Sequence, residues 1–120
     1  MYEIIFYKDK NGKEPVLVYI QELTSRSDKD SRIKANKILD YIDYLREVGK
    51  QAREPYAKYL GGEIWELRPI RDRILYAAWD DGCFILLHHF MKKTAKTPQK
   101  EIDQAKRNLA DYIERSKLNE

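Results

Sequence analysis

The chain has 120 residues, a formal net charge of +3 and a single cysteine. This length suits one domain with one hydrophobic core, which we assign to residues 1–120. The lone Cys83 excludes an intramolecular disulfide framework and is typical of a reducing cytoplasm. No stretch approaches the roughly 18 uninterrupted apolar residues of a membrane helix, and no secretory signal is visible. We therefore expect a cytoplasmic protein without a membrane partner.

The first part of the chain predicts one strand followed by two helices. Residues 2–8 are rich in β-branched and aromatic side chains, which favours a strand. Pro15 fits the first position of a short helix, and Ser27–Asp30 resembles a capping box at the start of a second helix that ends at Gly49. The predicted apolar stripe of this second helix consists of Ala35, Ile38, Leu39, Ile42, Leu45 and Val48. Two successive helices indicate a hairpin against one face of a sheet.

Three runs of Ile, Leu, Tyr, Trp and Phe follow, at residues 63–68, 73–79 and 84–94. Turn-forming residues separate them, which is typical of consecutive antiparallel strands. The third run is apolar on both faces up to His88, so we expect it to lie inside the sheet. We interpret residues 54–62, before the first run, as a connector.

Thr97 and Pro98 fit the N-cap and first residue of a last helix. Its predicted apolar stripe consists of Ile102, Ala105, Leu109, Tyr112 and Ile113. The predicted order is therefore β-α-α-β-β-β-α. This order indicates an α+β fold with a mainly antiparallel sheet.

Basic residues mark the ends of the three predicted strands. Arg68 closes the first run, Arg73 opens the second, and Lys92 and Lys93 close the third. Antiparallel pairing would bring these ends together into one cationic cluster. A basic patch of this kind is more often a solvated strand end that protects the sheet from edge pairing, and Arg68 then pairs with acidic neighbours while Arg73 anchors its turn.

A cationic cluster beside histidine can hold RNA phosphates and can also support their chemistry. Attack by a ribose 2′-hydroxyl needs a base, an acid and stabilisation of the charged phosphorane. Arginine supplies the stabilisation, while lysine and histidine can move protons. His88 and His89 are adjacent, so in a strand they point to opposite faces and cannot share a metal. No phosphate loop, dinucleotide fingerprint or zinc spacing is present, and we expect neither metal nor cofactor.

Four segments together resemble the RelE/ParE toxin superfamily, and more narrowly its phage-derived HigB branch: Ile64–Arg68, Arg73–Tyr76, Leu86–Thr94 and Lys96–Ala105. The resemblance implies a toxin of a type II toxin–antitoxin system that acts as a metal-independent endoribonuclease on mRNA at the ribosome. It also implies a cognate helix-turn-helix antitoxin of the HigA type, through which alone the toxin would reach operator DNA.

The resemblance also implies roles for single residues. Arg73 matches the arginine that contacts the scissile phosphate, and Lys93 falls where a second phosphate-stabilising cation is common. Arg68 matches the arginine that ends the preceding strand. The catalytic candidates are Arg73, Lys93, Arg68, His88 and Lys92, and the candidates for RNA binding are Arg71, His89 and Lys96.

This chain also departs from the pattern of RelE. RelE itself carries lysines where this chain has Ile64 and Glu66, and a tyrosine where it has Ile102. The resemblance therefore does not identify the general acid and the general base of this chain. The candidates for these two roles are His88, His89, Lys92 and Lys93.

Two alternative functions remain. A ParE-like toxin would bind DNA gyrase and cut nothing, and an inactive member of the superfamily would serve only as a binding module. A histidine beside two lysines favours the nuclease, because gyrase inhibition needs no acid–base pair.

Overall fold

The computed structural model describes residues 1–118 and shows the predicted α+β class, with three helices and a five-stranded sheet. A short 3₁₀ turn, Gly49–Gln51, follows the second helix. The elements are β1 Glu3–Phe6, α1 Pro15–Ser25, α2 Lys29–Val48, β2 Ala57–Gly61, β3 Ile64–Leu67, β4 Asp72–Trp79, β5 Cys83–Met91 and α3 Gln99–Leu118. Within the described residues, no helix is both long and apolar enough to cross a membrane.

The sheet has the strand order β1-β5-β4-β3-β2. β1 and β5 run parallel, and the other neighbours are antiparallel. β5 lies inside the sheet, as predicted. The α1–α2 hairpin packs on one face around Ile38, Leu45 and Leu86, while α3 packs on the other around Leu87 and Ala105. We call these the hairpin face and the α3 face.

The first residues of the helices agree with the predictions to within one residue. Pro15 is the first residue of α1. The N-cap of α2 is Asp28 rather than Ser27, and its carboxylate accepts a hydrogen bond of 2.9 Å from the Ser31 amide. The prediction that Leu39 belongs to the buried stripe was wrong, because its side chain is 42% exposed. Leu39 follows Ile38 by one residue, and that step of about 100° turns it away from the sheet.

The interpretation of residues 54–62 as a connector was wrong for its second half. Ala57–Gly61 forms the edge strand β2, which pairs with β3 and places Lys58 opposite Glu66 and Tyr59 opposite Trp65. A bulge between Tyr59 and Gly61 shortens the regular pairing. Such a short and irregular strand has too little alternation of apolar and polar residues for the sequence to predict it.

A second bulge lies where β5 passes β4. Leu75 pairs with His88 and the next residue, Tyr76, pairs with Leu86, so Leu87 is the extra residue. The bulge shifts the alternation of side chains along β5 by one position. Leu87 and His88 consequently both belong to the α3 face, and His89 turns to the hairpin face.

Asn108 of α3 provides a hydrogen bond for a backbone carbonyl that this bulge removes from the ladder between β4 and β5. Its Nδ2 donates a hydrogen bond of 2.8 Å to the Leu87 carbonyl, and its side chain is buried. Its Oδ1 accepts a hydrogen bond from Gln104. A buried carbonyl without a partner is unfavourable, so Asn108 stabilises the bulge.

We predict that Asn108→Ala lowers the free energy of unfolding by about 1–3 kcal/mol, because the Leu87 carbonyl loses its donor. Denaturant unfolding measures this loss. The matched control is Asn36→Ala at an exposed position of α2, which should change stability by less than about 0.5 kcal/mol. Equal stabilities for the two variants would contradict the role given to Asn108.

Candidate functional site

The basic ends of β3, β4 and β5 meet at one end of the sheet, as predicted. Arg73 pairs with Phe90 across the β4–β5 ladder, and the Lys92 amide donates a hydrogen bond of 2.7 Å to the Arg71 carbonyl. A depression opens here on the α3 face, and we call it the cationic cleft. Its lining consists of Lys58, Glu66, Arg68, Arg73, Phe90, Lys92 and the loop Thr94–Thr97.

Cationic side chains dominate the lining of this cleft. Five cations from four segments of the chain line it, and one carboxylate lies among them within the described residues. The cations are Lys58, Arg68, Arg73, Lys92 and Lys96, and the carboxylate is Glu66. Such a concentration of one sign of charge in a depression attracts phosphate groups.

Arg73 lies deepest among the cations and is 5% exposed. Its Nη1 donates hydrogen bonds to the carbonyls of Ile70, at 3.0 Å, and Asp72, at 2.9 Å. Burial lowers the pKa of the Arg73 guanidinium. The negative charge of Glu66 acts to raise this pKa, and the positive charge of Arg68 lowers it further. Arg73 therefore anchors its turn and also lines the cleft. Its hydrogen bonds to residues 1–118 all use Nη1, which leaves Nη2 and Nε for a ligand.

Arg68 approaches two carboxylates without a close hydrogen bond to either. Its Nε lies 3.6 Å from Glu66 Oε2, and its Nη1 lies 3.9 Å from Glu54 Oε1. The Nε atom is buried, and in the described part of the chain it is the one buried side-chain nitrogen or oxygen without a hydrogen-bond partner. The nearest acceptor is the Glu66 carboxylate, and this pair of opposite charges accounts for the burial of the Arg68 nitrogen.

Glu66 is a member of the cleft that the sequence prediction treated only as a partner of arginine. It is 1% exposed, and its Oε1 accepts a hydrogen bond of 2.6 Å from the Thr97 hydroxyl. The signal available in the sequence was a carboxylate between Trp65 and Leu67 in an apolar strand. Lys58 was also missed, because its strand was interpreted as a connector.

Lys92, rather than Lys93, shares the cleft with Arg73. Side chains alternate along an extended chain, so Lys92 lies on the same face as Phe90, the partner of Arg73. Lys93 is exposed and lines a neighbouring depression with Ile70 and Arg71. The predicted convergence of Arg73 and Lys93 on one point is therefore not what the structure shows.

The two histidines lie on opposite faces, as predicted. His88 belongs to the α3 face, where its Nε2 lies 2.8 Å from Glu101 Oε1 and its ring stacks on Phe90 at 6.3 Å between centroids. Phe90 stands between His88 and the cationic cleft. His88 is therefore adjacent to the cleft without lining it.

His89 belongs to a buried network on the hairpin face. Its Nε2 lies 3.0 Å from Asp72 Oδ1, and its ring stacks on Tyr19 at 3.6 Å. The Tyr19 hydroxyl donates to the same carboxylate at 2.8 Å, and Lys34 approaches it at 3.9 Å. This network separates His89 from the cleft, so the structure gives no support to the prediction that it contacts RNA.

Cys83 lies at the opposite end of β5, paired with Trp79. It is half-buried, and burial and the carboxylate of Glu3 raise the pKa of its thiol. This environment disfavours the thiolate. Within residues 1–118, no group of three or more His, Cys, Asp or Glu side chains is placed to hold a metal ion.

Comparison with known proteins identifies the family. The family model described as "Phage derived protein Gp49-like (DUF891)" matches residues 22–110, which include the whole cationic cleft. The chain belongs to this family. The Gp49-like family is part of the RelE/ParE-like toxin superfamily, and its members are commonly toxins of toxin–antitoxin systems. Comparison with curated proteins gave no significant match.

The cleft of this Gp49-like chain contains four of the eight residues proposed from the sequence. These are Arg68, Arg73, Lys92 and Lys96. Arg71 and Lys93 lie in the adjoining depression, His88 lies behind Phe90, and His89 lies on the other face of the sheet.

The Asp72 network of the Gp49-like chain makes the free energy of unfolding depend on pH in the acid range. Burial acts to raise the pKa of the Asp72 carboxyl. The hydrogen bonds from His89 and Tyr19 and the charge of Lys34 together outweigh this effect, so the pKa lies below its ordinary value. A lowered carboxyl pKa stabilises the fold above the unfolded-state pKa of about 4, and this contribution is lost as pH falls through the folded-state value.

We predict that Asp72→Asn lowers the free energy of unfolding at neutral pH by about 1–3 kcal/mol, since two buried donors lose a charged acceptor. The variant should also lose less stability than the wild type between about pH 5 and pH 2. Denaturant unfolding across this range measures both effects. The control is Asp40→Asn on the exposed side of α2, and a profile for Asp72→Asn that matches this control would contradict the account.

Proposed function

We propose that the protein is a HigB-type toxin of a type II toxin–antitoxin system and that it cleaves mRNA on the ribosome. The observation that carries this proposal is the cationic cleft, in which five cations surround one buried carboxylate. The Glu66 carboxylate pairs with Arg68 at 3.6 Å and can orient that arginine. In a site that transfers protons, the same carboxylate can also act as a base. Membership of a family of toxins supports the same function.

Three cations stabilise the reacting phosphate in this proposal. The scissile phosphate binds against Arg73 and Lys92, and the Arg68 guanidinium, which also lines the cleft, adds its positive charge. Negative charge grows on these oxygens as the pentacoordinate phosphorane forms. Fixed donors in a partly buried site stabilise that charge without reorganisation, which lowers the barrier.

Glu66 and Lys92 move the protons. The Glu66 carboxylate accepts the proton of the ribose 2′-hydroxyl, and the 2′-oxygen then attacks the phosphorus. The bond from phosphorus to the 5′-oxygen breaks, and the Lys92 ammonium donates a proton to the leaving oxygen. The products are a 2′,3′-cyclic phosphate and a 5′-hydroxyl end. The hydroxyl of Thr97 orients Glu66, while His88 acts as a positioning residue through Phe90.

We predict that Lys92→Gln and Glu66→Gln each slow mRNA cleavage on programmed ribosomes by about 10²–10³-fold, because each removes a group that acts in the transition state. Single-turnover cleavage assays with purified protein measure this. The matched control is Lys37→Gln on the exposed side of α2, which should cleave at the wild-type rate. Thermal melts show whether each variant is folded.

Unchanged cleavage in both folded cleft variants would contradict the assignment of the site. Labelling of new protein and DNA after induction tests the function itself. A block of translation fits the nuclease, whereas a block of replication with DNA breaks fits a ParE-like toxin that binds gyrase and would overturn the proposal.

The proposed partner is a helix-turn-helix antitoxin of the HigA type with an acidic segment that covers the cationic cleft. Opposite charge on the partner would speed association and exclude RNA from the cleft. Contact with operator DNA would occur only through this antitoxin.

We predict that expression of the protein alone stops growth and that co-expression of the adjacent gene restores it. Growth curves with each gene under separate control measure this effect. The Glu66→Gln variant should permit growth without the antitoxin. Normal growth despite abundant soluble wild-type protein would contradict the proposed toxin function.

A further inference from the structure

An open groove of about 680 Å³ lies beside the cationic cleft, along the edge strand β2. Its lining consists of Arg53, Glu54, Ala57, Lys58, Tyr59 and Trp65. We infer that this edge groove is a second RNA subsite, in which Tyr59 stacks on the base of a nucleotide that flanks the scissile phosphate. The inference rests on the proposed function, because it extends the path of the same RNA.

Lys58 connects the edge groove to the cationic cleft. It is exposed on β2 opposite Glu66, and it lines both depressions. An RNA strand that leaves the cleft over this edge of the sheet keeps a cation beside its backbone. Tyr59 and Trp65 lie on the hairpin face, so an RNA that occupies both depressions passes around the edge of β2 beside Lys58.

Tyr59 offers an exposed and fixed aromatic surface at the far end of this path. It is 51% exposed, and its hydroxyl donates a hydrogen bond of 2.7 Å to the Gly62 carbonyl. The Trp65 ring supports it at 5.2 Å between centroids. A ring held at both its tip and its side loses little freedom when a base stacks on it. Aromatic rings beside cations are the usual means of binding single-stranded RNA without a strict sequence requirement.

The charges of the edge groove also fit an RNA backbone. The Arg53 guanidinium lies 5.7 Å from the centre of the Trp65 ring, and its Nη1 donates to the carbonyls of Lys50 and Ala52. These contacts fix a cation within reach of a phosphate. The carboxylate of Glu54 faces Arg68 at 3.9 Å, so part of its charge is compensated.

The edge of β2 itself is poorly suited to the addition of a strand from a protein. It has five residues, it carries Lys58, and its pairing is interrupted by the bulge at Tyr59 and Gly61. Short length, lysine and bulges are the features that prevent edge pairing in natural sheets. The recognition surface is therefore the aromatic face and not the backbone edge, which favours a base over a peptide.

The test uses two fluorescent RNAs in which every ribose is 2′-O-methylated, so that no 2′-hydroxyl can attack. A trinucleotide covers the cationic cleft, and a hexanucleotide also reaches the edge groove. Tyr59→Ala should weaken binding of the hexanucleotide by about 5- to 150-fold, the range expected for loss of one stacked base, and leave the trinucleotide unchanged. Tyr59→Phe keeps the ring but loses its hydrogen bond to Gly62, so it should bind the hexanucleotide more tightly than Tyr59→Ala and no more tightly than the wild type. Tyr59→Leu should behave like Tyr59→Ala. The matched control is Tyr56→Ala, an exposed tyrosine that does not line the groove.

The possible contrary results show whether the subsite alone is wrong or the proposed function is wrong as well. If the wild type binds both RNAs and Tyr59→Ala binds them equally well, the subsite is wrong and the cleft stands. If the wild type binds neither RNA, the subsite is overturned; if it also cleaves no mRNA on ribosomes, the proposed function fails with it. If Tyr59→Ala keeps its RNA affinity but loses antitoxin binding, the edge groove is a protein interface and the inference is overturned.

Discussion

The burial of one positive charge, the guanidinium of Arg73, is the constraint on which the site depends. A buried cation needs partners that replace water, and the carbonyls of Ile70 and Asp72 supply them. To bring the Ile70 carbonyl to Arg73, the turn holds Ile70 at a φ of 56°, an unfavourable conformation for a β-branched residue. This tight turn joins β3 to β4 and thereby places Arg68 and Glu66 beside Arg73.

The bulge in β5 separates two functions that the sequence places side by side. It turns His88 towards α3 and the back of the cleft, and it turns His89 into the network of Asp72. Asp72 and Arg73 are likewise neighbours on β4 with opposite faces. The hairpin face therefore secures the start of β4 through Asp72, while the α3 face presents Arg73 to the cleft. Stability and chemistry are carried by adjacent residues on the two sides of one sheet.

Much of the fold was predictable because hydrophobic period and turn residues are local signals. The strands with regular alternation, the helix starts at Pro15 and near Asp28, and the convergence of Arg68, Arg73 and Lys92 all follow from them. The edge strand was missed because its short, bulged pairing has little alternation of its own.

The composition of the cleft was harder to predict. The bulge at Leu87 is stabilised by Asn108, 21 residues further along the chain, so no local pattern reveals it. Glu66 belongs to the cleft only because Thr97 and the arginines surround it in space.

Lysine modification of the protein bound to programmed ribosomes is the most direct test of the cationic cleft as the site that contacts mRNA. We predict that Lys58, Lys92 and Lys96 are protected relative to free protein, while Lys37 reacts as before. Equal modification of all four lysines in the bound and free protein would contradict it.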